Sequence, residues 1–276
     1  MQYKDMTWTK ALCGAGIGER ALRSEHGLCA DVAMLRCCSG NAKMLEKIHD
    51  ALWIAEGKIV NFYGFPYPTR CVIAQLANGD LWVWSPVALD EVLQGEMDKL
   101  GPVRHLVSPN KIHHLYLQDW KVAYPQAQLW GPRSTITKRP DLAFREPLED
   151  VAPAEWGGDI EQAWFRGSFA MDEVVFFHGP SRTVIVADLI EALTDTFLRQ
   201  HWSWWGRLLA RLDGIVADKA LAPAEWRLSF LNRKPARAAR AKMLDWPCER
   251  VIMAHGDWCR SEGHAFLVRS FGWLGA

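Results

Sequence analysis

The run Val103-Arg104-His105-Leu106-Val107-Ser108-Pro109-Asn110-Lys111-Ile112-His113-His114 starts as a short apolar segment and ends in two adjacent imidazoles. A few residues rich in Val and Leu, closed by Ser-Pro-Asn, read as a buried strand that stops at a turn. Two later segments repeat the design: Val184-Ile185-Val186-Ala187 ends at Asp188, and Val251-Ile252-Met253-Ala254 ends at His255. Side chains at the ends of neighbouring buried strands point into a shared crevice, where layered α/β folds keep their sites. The three segments therefore predict one site made of His113, His114, Asp188 and His255. Three imidazoles and one carboxylate suit zinc, iron or manganese. The competing reading of the same residues is a metal-free polar cluster whose carboxylate and imidazoles hydrogen-bond one another.

Outward from this run the chain alternates strands and helices. Ala51–Ala55 and Ile59–Tyr63 read as strands parted by Glu56-Gly57. Cys71–Leu76 and Leu81–Trp84 flank Asn78-Gly79, a hairpin signal because Gly supplies positive φ at little cost. Leu89, Val92, Leu93, Met97 and Leu100 have helical spacing, stopped by Gly101-Pro102. His114–Ala123 reads as a helix, Gln128–Trp130 as a short strand, and 131–158 as an irregular stretch. Ile160–Phe165, Val174–Phe177 and Val184–Ala187 come next as strands, 189–245 as helical, Arg250–Ala254 as a last strand, and a helix from about Gly263 closes the chain. Strands lead, strand–helix units come after them, and the pattern recurs once. This order predicts an α/β fold, an αββα sandwich with two mixed sheets face to face and helices outside, in one domain over 44–276.

The segment from Leu106 to Pro132 resembles the metal-binding region of the metallo-β-lactamase superfamily, in which a strand delivers His-x-His-x-Asp-His to the head of a helix. Asp188 at a strand end and His255 in Ala254-His255-Gly256 match later ligand positions of that family, and the resemblance spans roughly 45–275. It implies the sandwich fold, with 189–245 as a helical insertion, and metal-dependent hydrolysis. Aligning His113-His114 with the family's Asp-His places Pro109 and Lys111 where two His belong, and a further family His falls near Gly167-Ser168. The resemblance thus implies a divergent branch with a degenerate motif. The ligands of one ion of a two-metal site are gone, and those of the other remain as His113, His114, Asp188 and His255. One divalent ion, zinc first and iron or manganese next, would supply the nucleophile from a bound water; a relic site would hold none. Asn110 and Lys111 are expected to face substrate, Lys as a point charge, against the plainer reading of solvated loop residues.

Composition sets the limits. In 276 residues, 32 Lys and Arg balance 32 Asp and Glu, so no broad electrostatic footprint for nucleic acid is expected. The basic series Arg233, Lys234, Arg237, Arg240, Lys242 lacks interleaved aromatic residues and reads as a solvated helix face. No apolar run reaches membrane-spanning length. Seven Cys, an odd number without regular spacing, point to a reducing compartment, hence the cytoplasm. Residues 1–43, with Gly14, Gly16 and Gly18, show no sustained period. They read as a poorly ordered extension, with Met44 as an alternative natural start. Fifteen Trp are unusual. The cluster Trp202-Ser203-Trp204-Trp205, leading into Leu208, Leu209 and Leu212, suits helix packing, a cap over the crevice, a dimer contact or an interfacial membrane anchor. The expected activity is metal-assisted hydrolysis of a small-molecule ester, lactone or phosphoester, with a homodimer allowed. The alternative is a non-catalytic binding or scaffold protein on the same fold.

Overall fold

Along each strand the side chains alternate between two faces, and both faces are apolar, so each sheet must be covered twice. The structure, a computed structural model, describes residues 44–275, and the expectation for 1–43 lies outside them. The first sheet holds β1 (Leu45–His49), β2 (Leu52–Phe62), β3 (Phe65–Gln75), β4 (Leu81–Trp84), β5 (Val103–Val107) and β6 (Gln128–Trp130) in that order. The second holds β7 (Ile160–Phe165), β8 (Glu173–His178), β9 (Thr183–Val186) and β10 (Arg250–Met253), in the order β10-β9-β8-β7. Both are mixed: β4, β5 and β6 run parallel in one, β9 and β10 in the other, and the remaining pairs are antiparallel.

Three apolar layers result. Leu52, Ile54, Val72, Trp82, Trp84 and Val107 from the first sheet meet Ile160, Val174, Phe176, Ile185 and Ile252 from the second. Trp82 anchors this interface, edge-on to Phe176 at 5.1 Å and to Trp156 at 6.3 Å, each such pair adding about 0.5–1.5 kcal/mol beyond burial. The outer face of the first sheet (Ala55, Ile73, Leu81, Val83) lies under α1 (Glu91–Leu100) and α2 (Leu117–Ala123), through Leu93, Met97, Leu117 and Trp120. The outer face of the second (Phe165, Val175, Phe177, Val251) lies under α6 (Ala224–Ser229), α7 (Arg233–Asp245) and α8 (Gly263–Ser270). This is the αββα sandwich expected. The segment between β9 and β10 also carries α4 (Asp195–His201) and α5 (Trp204–Asp213). Among the described residues no helix is long and apolar enough to cross a membrane.

Three local expectations are corrected. Glu56-Gly57 does not break a strand: β2 runs through it, because a Cβ at Gly57 would lie 2.3 Å from Thr69 Oγ1 and 2.5 Å from Val87, and only Gly fits that close approach. The helix expected at His114 starts at Leu117, with both histidines in the turn before it. The stretch expected to be irregular contains a short helix, α3 (Arg133–Lys138). The Asn78-Gly79 hairpin stands, with Gly79 at φ 86°.

Candidate metal centre

The parallel strands set the site. Trp84 pairs with Val107, and Val186 with Met253, so β4 and β5 end together, as do β9 and β10. Asp188 lies two residues beyond β9 and His255 two beyond β10, while the turn after β5 carries His113. A chain bond from Val174 N–H to Pro109 O, 2.9 Å, ties that turn to the second sheet. His113 Nε2 lies 3.1 Å from Asp188 Oδ2, and His255 Nε2 lies 3.1 Å from Asp188 Oδ1. One ligand atom from each residue falls within 4.8 Å of the other two. All three side chains are at least nine-tenths buried.

The far ring nitrogens carry the chemical information. His255 Nδ1 is 2.6 Å from Pro68 O. A carbonyl only accepts, so Nδ1 holds the proton and Nε2 is left with its lone pair toward Asp188. His113 Nδ1 meets Ser85 Oγ at 2.7 Å, so its Nε2 is likewise turned to Asp188. A neutral His113 can donate Nε2–H to Asp188 while accepting the Ser85 hydroxyl, but His255 Nε2 faces the carboxylate with its ring proton already on Nδ1, and so needs a cation there, either a second ring proton or a metal ion. Donors on a tetrahedral zinc, at about 2.0–2.1 Å from the ion, stand about 3.3 Å apart; each His–Asp188 spacing is 3.1 Å and all three donors lie within 4.8 Å, and two imidazoles with a carboxylate are a donor set that suits the ion. Burial alone would push the Asp188 carboxyl up; the interaction with His113, then with His255, outweighs it and holds Asp188 well below the ordinary carboxylate range.

Of the residues expected from sequence, the structure brings together His113, Asp188 and His255 and leaves His114 out. Adjacent residues in a turn project differently: the His114 ring sits 3.3 Å from Arg139 Nη1, and burial, with Lys138 and Arg139 adding, lowers its pKa to about 4. Both residues expected to face substrate are hydrogen-bonded within the protein. Asn110 is fully buried, donating from Nδ2 to Asp188 Oδ2 (2.6 Å) and Glu173 Oε2 (2.9 Å) and accepting the Ile112 N–H at Oδ1. Lys111 Nζ is bound to Ala170 O. In the basic series on α7, Lys234 and Arg237 are exposed, while Arg233, Arg237 and Arg240 also donate to the carbonyls of Trp273, Leu274 and Gly275, and Lys242 to Asp150 O.

Sequence reasoning missed the residues that hold this set in place. Glu173 accepts the N–H groups of Ala187 and Asp188, fixing the end of β9; burial, then the Asp188 charge, pushes its pKa up to about 8. A carboxylate opening the apolar run Glu173-Val174-Val175-Phe176-Phe177 was the available signal. Arg70, buried and paired with Glu56, donates to Met253 O (2.6 Å) and Gly256 O (2.9 Å), and so steadies both sides of His255. Trp84 stacks on His113, and Tyr67 lies edge-on to His255. Ser85, His113 and Asp188 stand in the order of a nucleophilic triad. However, Ser85 is buried and its amide donates to Val107 O, so it orients the imidazole and offers no oxyanion donor.

Two sheets face to face, helices on both outer faces and an acid–imidazole centre at the strand ends define a protein of metallo-β-lactamase fold. A metallo-β-lactamase from Pontibacter korlensis is 14% identical, with a TM-score of 0.52, covering 83% of this chain and 97% of that one. One from Hirschia baltica is 14% identical, with a TM-score of 0.54 and coverage of 83% and 96%. The enzyme FIM-1 from Pseudomonas aeruginosa, solved in its mono-zinc form, is 12% identical, with a TM-score of 0.51 and coverage of 83% and 93%. No curated protein matches the chain in sequence. A family model described as a domain of unknown function (DUF4336) matches residues 49–199, more than half of the chain, and the chain belongs to that family.

Proposed function

We propose that this chain is a metal-dependent hydrolase of a small-molecule ester, lactone or phosphoester, using one divalent ion held by His113, Asp188 and His255. The observation that carries the reading is the bond from His255 Nδ1 to Pro68 O, which presents Nε2 as a ligand and is the outer support that metal-binding histidines need. Zinc suits two imidazoles and a carboxylate, and so does iron(II). A bound ion would polarise a substrate oxygen and bring the pKa of water to about 7. The chain's own residues then hold the geometry. Ser85 and Pro68 fix the two rings, Glu173 holds the Asp188 backbone N–H, Asn110 holds its carboxylate, and Trp84 and Tyr67 wall the site. The Asn110 amide occupies one side of Asp188 Oδ2 and favours a single ion.

The second reading keeps the same contacts with protonated rings and no ion, and makes the protein a non-catalytic binding or scaffold member of the fold; the His–Asp188 ion pairs are what favour it. Metal analysis separates the two. Purified wild type is expected to hold about one equivalent of zinc, iron or manganese. Asp188→Asn and His255→Ala should lose it, together with hydrolysis of chromogenic esters, lactones and phosphodiesters. Protein that purifies without metal, takes none up on addition, and shows no hydrolysis would overturn the proposal.

A further inference from the structure

Helix α5 is turned inside out. A surface helix ordinarily buries its apolar stripe and shows its polar one. Here the small residues Gly206 and Ala210 face the protein, while Trp204, Trp205, Leu208, Leu209 and Leu212 are exposed, Trp204 and Leu212 each by 72%. The helix needs no burial of that stripe to form: Ser203 caps its first turn by accepting the Gly206 N–H, and Gly214, in the left-handed region, ends it. The inward side fits closely, since a Cβ at Gly206 would lie 3.3 Å from the Trp202 ring and 3.4 Å from Phe65. Phe65 packs against both Trp202 (4.6 Å) and Trp205 (5.7 Å), which joins α5 to the tip of the β2–β3 hairpin, where Phe62 and Tyr63 are also exposed.

Charge is arranged around this apolar surface. Arg207 and Arg211 flank the stripe on one side at helical spacing, and Arg199 projects from α4 beside it, its side chain 72% exposed. The helix's one carboxylate, Asp213, is turned inward to the Ala224 N–H and Arg227. Asp195 lies 3.0 Å from Arg211 and 4.0 Å from Arg199, and half-buried Arg207 donates to Trp202 O, so three arginines at this margin face one acid. Trp and Leu on one face, Arg at its margin and low mean hydropathy are the features of helices that lie in a bilayer interface, where Trp and Tyr rings settle at the headgroups. We propose that α5 and the β2–β3 tip form a docking surface for a membrane leaflet containing anionic phospholipid. Arg199, Arg207 and Arg211 meet the headgroups, and Trp204, Leu208 and Leu212 enter the acyl boundary. Tyr67, in contact with both Trp202 and His255, links this surface to the wall of the candidate metal centre.

The test is sedimentation of the full chain with vesicles of phosphatidylcholine alone or mixed with phosphatidylglycerol, read together with Trp fluorescence and quenching by brominated lipid. Wild type should bind the mixed vesicles with a blue shift, and release with salt. Trp204→Asp/Leu212→Asp should weaken binding by about tenfold or more at an unchanged melting temperature. Arg207→Ala/Arg211→Ala should remove the preference for the anionic lipid while leaving the apolar contact. Wild type that ignores both vesicles overturns the proposal. A concentration-dependent dimer abolished by Trp204→Asp/Leu212→Asp, without vesicle binding, would assign the face to a second copy of the chain and overturn it equally.

Discussion

At Ser85 the backbone has φ 48°, in the left-handed region that a side chain with a Cβ rarely adopts, and its hydroxyl lies 2.7 Å from His113 Nδ1. Such a conformation costs about 1–3 kcal/mol and persists because the surroundings hold it. Two roles are combined in one residue and a substitution can part them. Ser85→Gly relieves the backbone and removes the hydroxyl, so the fold should be retained while the imidazole loses its outer partner. Metal affinity, measured by competition with a chromophoric chelator, is expected to fall about 10–100-fold at an equal or higher melting temperature. Unchanged affinity would show that packing against Trp84 alone orients His113. The sequence pointed to His113 as a candidate ligand but not to this support, because a serine at the end of a different strand carries no mark of where its hydroxyl points.

The strand ends carry the same logic at the level of elements. The short segments of β5, β9 and β10 that lead to His113, Asp188 and His255 were legible, since runs made mostly of Val, Ile, Leu and Met have one stable setting, a strand covered on both faces. The turn beyond each strand was less legible. After β10 the chain turns at Gly256, with φ 93°, where a Cβ would stand 2.0 Å from Ala192 O. Only glycine allows Ala192 N–H to bond His255 O and Asp257 N–H to bond Ala192 O across that approach. Gly256→Ala is therefore expected to destabilise the protein by at least about 1–3 kcal/mol in urea unfolding. It should also displace His255 and so lower metal content, which an alanine at the exposed Gly64 turn should not. The apolar pattern of α5 gave a helix correctly and its orientation not at all, because amphipathicity identifies a face without saying whether protein or another phase covers it.

Over the whole molecule, two histidines outside the metal set bear on stability through pH. Burial lowers the His178 pKa from 6.5 to about 4, with the nearby His49 adding to it. His178 Nδ1 accepts or donates only with Ser181 Oγ, which itself donates to Thr183 Oγ1; with that hydroxyl proton committed, Nδ1 is the donor and the neutral ring satisfies the pair. His114 is lowered to about 4 as well, by burial and then by Lys138 and Arg139. A base depressed in the folded state takes its proton first when unfolded. The stability that the neutral rings contribute is complete above about pH 6.5 and is lost as the pH falls through about 4. Urea midpoints of wild type should drop across that window. The double variant His114→Gln/His178→Gln should fall less steeply, and identical slopes would remove these residues from the account.

The sequence by itself determined the layers of this protein and pointed to the three residues that meet in the candidate centre. Short apolar runs, a Gly-bearing hairpin turn and apolar segments that lead to Asp or His are local facts about neighbouring residues. Only the tertiary structure decided which of two adjacent histidines enters the site, that Asn110 and Lys111 are bound inward, and that Glu173, Arg70, Ser85 and Pro68 brace the centre. Those outcomes depend on contacts of about 3 Å between segments far apart in the chain. The sheet packing that makes such contacts is set by the sum of the core and by no single stretch of it.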